Sequence, residues 1–287
     1  MQLSLVHLSE SRWRVLQPAI YLVSLLPAWV CWLTFKDQAS GTHALVLGCS
    51  VVLIQHAINV FNDGIDWQKG ADGEKQNSWV HFHQGQSSAL KIHAWTSLWV
   101  GLVSGILVVQ EAHRWEVLWV ALPLVVLGLF YNHSHWTLAY TKWGEWVTGI
   151  CYGPGVFGCM AYVLNGKVSI ALLLGSLAFS CLAVSVLLSH QPPQVLTDFA
   201  AGKQSFAVRY GVQKTYRTAR LLFYGALLFL ISLTVIQHES LLVRWSLLGL
   251  MPWILMRTPR KPAPPDILKW STVFIGMWGF LSLGSGA

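Results

Sequence analysis

Charge is what this sequence has least of. Asp, Glu, Lys and Arg make up 11% of its 287 residues, against about 25% in an ordinary soluble domain. So thin a polar shell excludes a water-soluble body. Cysteine is also sparse: Cys31, Cys49, Cys151, Cys159 and Cys181 lie in apolar runs without CxxC spacing. That excludes a disulfide framework or a thiolate metal site and leaves them as small packing residues. No cleavable signal pattern opens the chain. "MQLSLVHLSESRWRVLQ" is polar and short, so the first helix is expected to serve as an uncleaved anchor. Alternating segments of about ten residues are absent too, which excludes a transmembrane β-barrel.

What the sequence does have is long apolar runs. It is 54% hydrophobic, with a mean hydropathy of +0.50. Helices are expected at Trp13–Phe35, Thr42–Phe61, Leu90–Gln110, Trp115–Tyr131, Trp146–Leu164, Ser169–Ser189, Tyr216–Ile236, Leu241–Met256 and Trp270–Gly284. The fold class is therefore an all-α polytopic membrane bundle of about nine transmembrane helices. The fourth and eighth runs are short for a full crossing, so the range is seven to nine. Pro18, Pro27, Pro123 and Pro154 fall inside spans, as membrane helices tolerate.

Lys and Arg set the expected orientation. The N-terminus and the loops after even-numbered helices hold 15 of the 19 basic residues; Lys36, Arg114, Lys167 and Arg244 are the remainder. The bias predicts a cytoplasmic N-terminus and an integral protein of the inner membrane if the source is bacterial. The formal net charge of +7 is then mostly a topology signal, and no nucleic-acid partner is expected.

The few carboxylates are clustered. Of 12 acidic residues, Asp63, Asp66, Asp72 and Glu74 lie in or just after "NVFNDGIDWQKGAD", residues 59 to 72. Asn59, Asn62, Asp63 and Asp66 recur at three- and four-residue spacing, so they share one face if the second helix continues through them. Carboxylates that close repel one another, and a divalent cation relieves this. An all-oxygen set suits Mg²⁺, which keeps waters and bridges to phosphate; a solvated acidic loop is the plainer alternative. A second polar stretch, "QPPQVLTDFAAGKQSFAVRYG", follows the sixth helix and offers Asp198, Lys203 and Arg209. Carboxylate for metal and cations for phosphate oxygens are what a magnesium–diphosphate complex needs. Both stretches follow even-numbered helices and are expected on one cytoplasmic side, as if the chain had two related halves. Lys214, Arg217 and Arg220 are read as headgroup contacts.

The first stretch resembles the Asp-rich signature of the UbiA superfamily of intramembrane prenyltransferases, in the form seen in 1,4-dihydroxy-2-naphthoate prenyltransferases. "QVLTDFAAGKQSFAVRYG" resembles that group's second signature. "YNHSHWTLAYTKWGEWVTGICYGPG" resembles its central segment at Tyr131, Leu138-Ala139-Tyr140, Gly144-Glu145 and Gly153-Pro154. Departures are Gln194 for the first Asp of the second signature, His190 and Gln191 for an Asn pair, Gln204 for an Arg, Trp136 for a Pro and Thr141 for an Arg, with Lys142 beside it. Gln194 can still offer a neutral oxygen.

The resemblance implies one UbiA-like domain over residues 1–287, with motif loops at about 59–88 and 190–214 and a central cavity. It implies Mg²⁺-dependent transfer of a polyprenyl group from its diphosphate to an aromatic acceptor of the naphthoate or quinone type. Asp63, Asp66, Asp72 and Asp198 would hold the metal. Asp63, Asp66, Asp198 and Tyr140 would be catalytic. Asn59, Asn62, Lys69, Tyr131, Lys142, Gln194, Lys203 and Arg209 would bind substrate. The polar stretch from Asp72 to Gln86 would cap the head group. Haem, chlorophyllide or 4-hydroxybenzoate remain alternative acceptors. A transporter is the alternative class, but it would place ionisable groups in mid-membrane rather than at helix ends.

Overall fold

The structure is a computed structural model that describes residues 15–71, 78–133 and 137–284. Each expected apolar run is helical, and no strand occurs among the described residues. We number the long helices α1 (Pro18–Phe35), α2 (Gly41–Gln68), α3 (Ser87–Glu111), α4 (Leu118–Tyr131), α5 (Gly144–Asn165), α6 (Ile170–His190), α7 (Val212–Ile236), α8 (Leu241–Arg257) and α9 (Pro264–Gly284). Seven are long and apolar enough to cross a membrane; α4 and α8, at 14 and 17 residues, are shorter.

The helix starts follow local chemistry. Ser40, Ser169 and Ser240 precede α2, α6 and α8, and each side chain accepts a hydrogen bond from the N–H three residues on. Three boundaries differ from expectation: α7 begins four residues before Tyr216, α9 begins six residues before Trp270, and α2 runs on past its expected end. α2 does not stop near Phe61 but continues seven residues to Gln68. The polar residues there sit on the cavity-facing side, so the apolar run ends while the helix does not.

Close helix contacts use small residues. Gly101 of α3 lies against Ser50 of α2, whose hydroxyl donates to the Gly101 carbonyl at 2.5 Å. In α5 the segment Cys151–Gly158 widens into a π-helix around Pro154, which has no N–H to donate to an α-helical ladder. The bulge pushes Phe157 against Gly175 of α6, where no side chain could fit, and Phe157 stacks on Phe179 at 5.2 Å. The main core joins α1, α5, α6, α7 and α9 and includes fully buried Phe223, Phe274 and Trp278. The outer surface is the reverse of a soluble protein's. Trp119 is 85% exposed, and Leu45, Ile92 and Phe280 also face outward. A hydrocarbon solvent makes such a surface stable.

Candidate active site

A cavity of about 750 Å³ opens inside the bundle. Its depth is apolar, lined among others by Leu47, Ile54, Leu122, Val156 and Met160. Its mouth is polar. Asn59, Asn62, Asp63 and Asp66 reach it from one face of α2, and Gln194, Asp198 and Lys203 reach it from the segment after α6. The two Asp-bearing stretches thus meet at one end of the bundle, as their matching place in the helix order requires.

Both stretches are shaped by the same turn. Gly70 has φ +78° and Gly202 φ +74°, left-handed values that a residue with a Cβ adopts at a cost. At each, the glycine N–H bonds the carbonyl three residues back, at 3.1 Å. The next N–H bonds the carbonyl five residues back: Ala71 to Asp66 at 2.9 Å, Lys203 to Asp198 at 2.8 Å. These are the paired bonds of a Schellman motif. The pattern D-x-x-x-G therefore ends a helix twice and holds an aspartate on its last turn each time, giving the suspected relation between halves a physical form.

The aspartates converge on one ammonium. Lys203 Nζ lies 3.4 Å from Asp66 Oδ2 and 3.8 Å from Asp198 Oδ1. Asp66 also accepts hydrogen bonds from Asn62 at 2.9 Å and from the Tyr140 hydroxyl at 2.8 Å. Burial alone would lower the Lys203 pKa; Asp66 and Asp198 outweigh it and raise the pKa above the ordinary 10.5. The sign follows directly. The lysine's contribution to stability is fully present below its ordinary value and is lost as pH rises through the raised one, while the ion pairs themselves also require Asp66 and Asp198 to be ionised. Tyr140 joins the parts: its ring lies 4.3 Å from Lys69 Nζ and 5.2 Å from Lys203 Nζ, and its carbonyl accepts from Gln204 N–H at 2.9 Å. Lys69 also donates to Thr137 at 2.8 Å. Asp63, 8% exposed, accepts the Trp79 N–H at 2.8 Å, which ties down the segment leading to α3.

Other expected site residues stand elsewhere. Tyr131 lines the cavity wall near its mouth. Lys142 is exposed over the Trp143 ring and is not brought to the cavity. Arg209 turns to Glu145 at 2.9 Å and to the Gln204 carbonyl at 3.0 Å. Asp72, Glu74 and Trp136 lie outside the described residues. Glu145 of the central segment acts as an anchor. Besides Arg209 it accepts the Phe206 N–H at 2.7 Å and the Gln191 amide at 3.1 Å. Gln191 in turn accepts the Ala207 N–H at 3.2 Å. The second stretch is thereby pinned to the start of α5. Tyr21, His56 and His93, unremarked in the sequence, also gather beside the cavity. The signal that could have found them is a Gln55-His56 pair inside an apolar run, one turn before Asn59.

A family model described as UbiA prenyltransferase family matches residues 22–284. The chain belongs to the UbiA prenyltransferase family. As a UbiA prenyltransferase it is an integral, multi-pass membrane enzyme. It is 21% identical over 262 residues to a 1,4-dihydroxy-2-naphthoate octaprenyltransferase of Bacillus subtilis, covering 90% of this chain and 80% of that protein. It is 24% identical over 245 residues to a 2-carboxy-1,4-naphthoquinone phytyltransferase of Synechocystis, covering 83% and 78%. The fold matches a UbiA homolog from Archaeoglobus fulgidus bound to GPP and Mg²⁺ with a TM-score of 0.63 at 18% identity, covering 95% of this chain and 99% of that one.

The glycine turn gives this UbiA prenyltransferase a testable weak point. A Cβ at Gly202 would meet nothing within 4 Å, so Gly202→Ala adds backbone strain of about 1 kcal/mol without a clash. Released as a shift of the Lys203 turn, this is expected to lower kcat/KM about fivefold. Gly202→Asn, which tolerates the left-handed region better, is expected to lose less. Steady-state kinetics of the two variants check the order.

Proposed function

We propose that the cavity binds a polyprenyl diphosphate with its head at the Asp66–Lys203–Asp198 cluster and its chain in the apolar depth, and that Mg²⁺ joins head and carboxylates. The observation that carries this reading is the single ammonium shared by two buried aspartates from distant stretches. Positive charge is stable at that point, and a diphosphate needs more of it.

The donor set suits magnesium. Among the described residues no three His, Cys, Asp or Glu side chains form a metal cage. Mg²⁺ does not need one, because it is commonly held by one or two carboxylates with waters and substrate phosphate completing the shell. Asp66, Asp198 and Asp63 are the residues assigned to hold it, with Asn59 and Asn62 offering amide oxygens. Asp66 accepts three hydrogen bonds, and a carboxylate has about four lone-pair sites. A magnesium ion held by these residues would supply positive charge to the diphosphate oxygens.

The chain's own groups do the rest. Lys203 donates to the departing phosphate oxygens. Tyr140 and Asn62 fix the Asp66 carboxylate, and the apolar wall keeps water from the allylic cation. Tyr131, which lines the cavity, is the aromatic side chain assigned to stabilise that cation. A ring carbon of the acceptor then attacks. The relatives' names favour a naphthoate-type acceptor, and the basic bias favours a cytoplasmic mouth.

The test is prenyl transfer by membranes containing this protein, given labelled polyprenyl diphosphates, magnesium and a panel of hydroxylated aromatics. A lipid-soluble prenylated naphthoate product that disappears with EDTA is expected. Product formed equally well in EDTA contradicts the metal assignment, and solute transport without product contradicts the enzyme.

A further inference from the structure

Beside the cavity mouth, four side chains from four parts of the chain form one hydrogen-bonded line. The Tyr21 hydroxyl of α1 lies 2.6 Å from His56 Nδ1 of α2. His56 Nε2 lies 2.9 Å from His93 Nε2 of α3. His93 Nδ1 lies 3.0 Å from His83 Nε2, in the segment before α3. Tyr21 lines the cavity, His56 is buried, and His83 is half-buried at the far end. Trp79 closes the side of the line, edge-on to His56 at 5.0 Å and to His93 at 4.8 Å.

Diphosphate chemistry uses none of these groups. Nor do they suit a metal, since their nitrogens face one another rather than a common point. Holding three imidazoles in series against apolar helices is costly unless each nitrogen has a partner, and here each gap is bridged. The tautomers are then linked. If Tyr21 donates to His56 Nδ1, His56 carries its proton on Nε2 and gives it to His93 Nε2. His93 therefore carries its proton on Nδ1 and gives it to His83 Nε2. One consistent assignment runs the whole way from cavity to surface. Asn59 and Asp63 line the same cavity as Tyr21. At the outer end His81 is tied to Ser78. Burial lowers the His83 pKa, which keeps the outer ring neutral and able to take a proton and pass it on.

We propose that the Tyr21–His56–His93–His83 line carries the acceptor's hydroxyl proton out of the cavity as its ring attacks the prenyl carbon. This rests on the prenyl-transfer reading above and adds the proton route. The prenyl C–O bond breaks and its electron pair leaves on the diphosphate. The acceptor O–H bond breaks, its electron pair feeds into the ring, and the ring carbon forms the new C–C bond. The proton passes to Tyr21 oxygen as Tyr21 gives its own to His56, His56 to His93, His93 to His83 and His83 to water. Where the ring loses hydrogen, that hydrogen then moves to the oxygen, and one proton per turnover has left. Where it loses a carboxyl group as CO₂, a proton returns along the same line to re-form the hydroxyl. Neither case needs an oxidant or reductant. A cavity that excludes water to protect a cation has no water to take a proton, so it needs such a route.

The experiment uses the full chain in membranes and follows two reactions: prenyl transfer to a hydroxylated aromatic, and magnesium-dependent diphosphate release without acceptor. His93→Gln keeps a hydrogen-bonding side chain but cannot pass a proton through a ring. Transfer is expected to fall roughly 10²-fold, while diphosphate release stays within about twofold of the wild type. Tyr21→Phe, which keeps the ring, is expected to behave alike, and His93→Ala is expected to recover transfer when imidazole is added. Wild-type transfer rates in His93→Gln and Tyr21→Phe overturn the proposal. So does a parallel loss of both reactions that imidazole does not restore, which marks a structural role. Diphosphate release absent from the wild-type protein instead overturns the underlying reading of the carboxylate cluster.

Discussion

Replacing Asp66 with Asn is expected to lower turnover roughly 10³-fold, about 4 kcal/mol of transition-state stabilisation. The substitution is nearly isosteric, so the effect is chemical. Asp66 is held by three donors from three places: Asn62 one turn back, Tyr140 of the central segment, and Lys203 of the second stretch. An amide in its place removes the charge that balances Lys203 and turns an NH₂ group towards donors. It also removes one of the anionic oxygens assigned to magnesium. The loss should fall mainly on kcat, because charge on the diphosphate grows as the bond breaks and the missing stabilisation is greatest there. Asp266→Asn is the control. That residue lies at the same end of the bundle but in the first turn of α9, where it reaches back to accept the Ala263 N–H at 2.9 Å. An Asn oxygen can accept the same bond, so activity should hardly change. Steady-state kinetics on both variants measures the contrast.

Lys203→Met is expected to move two quantities in opposite directions. Without its ammonium, Asp66 and Asp198 face each other with no cation between them, so magnesium should bind the protein alone about tenfold more tightly. Turnover should fall about 10²-fold, since a charge-assisted hydrogen bond to a phosphate oxygen contributes roughly 1.5–3 kcal/mol. Titration with Mg²⁺ or Mn²⁺ in the absence of substrate, beside a turnover assay, separates the two effects. Weaker metal binding in Lys203→Met would place the lysine outside the metal's surroundings. Methionine fills the volume of the lysine stem, but two buried aspartates lose their cation, so the magnesium-free variant is expected to melt lower than the wild type and to regain stability when Mg²⁺ binds.

Much of this was legible in the sequence, for identifiable reasons. Apolar run length reports helices directly: the nine runs are helical, with the largest departures where polar residues extend α2 to Gln68 and α9 back to Pro264. Three- and four-residue spacing reports a shared face, and Asn59, Asn62, Asp63 and Asp66 do share the cavity face of α2. What the sequence hides is which charge meets which across long separations. Arg209 reads as a phosphate ligand by its place beside Lys203. The turn at Gly202 aims Lys203 inwards, while the short helix Phe206–Tyr210 carries Arg209 towards Glu145, 64 positions away. Lys142 stands outside the cavity for a like reason: adjacency to the central segment says nothing of which side of the chain it leaves from. The histidine line is hidden more deeply. His56, His83 and His93 come from three separate elements, and no spacing rule joins them before the helices pack. The end of α2 escapes for the opposite reason. A drop in hydropathy marks the edge of the lipid, whereas the helix continues because its polar face has a cavity to line.

A double-substitution cycle in Asp66→Asn and Asp198→Asn, read by magnesium-dependent release of diphosphate from a polyprenyl diphosphate, tests the central claim most directly. If both carboxylates serve one metal-bound head group, the first substitution disables the unit and the second adds little, so the double variant should be about as impaired as the worse single one. Losses that multiply would mean that the two aspartates act at separate places, and the shared site would be gone.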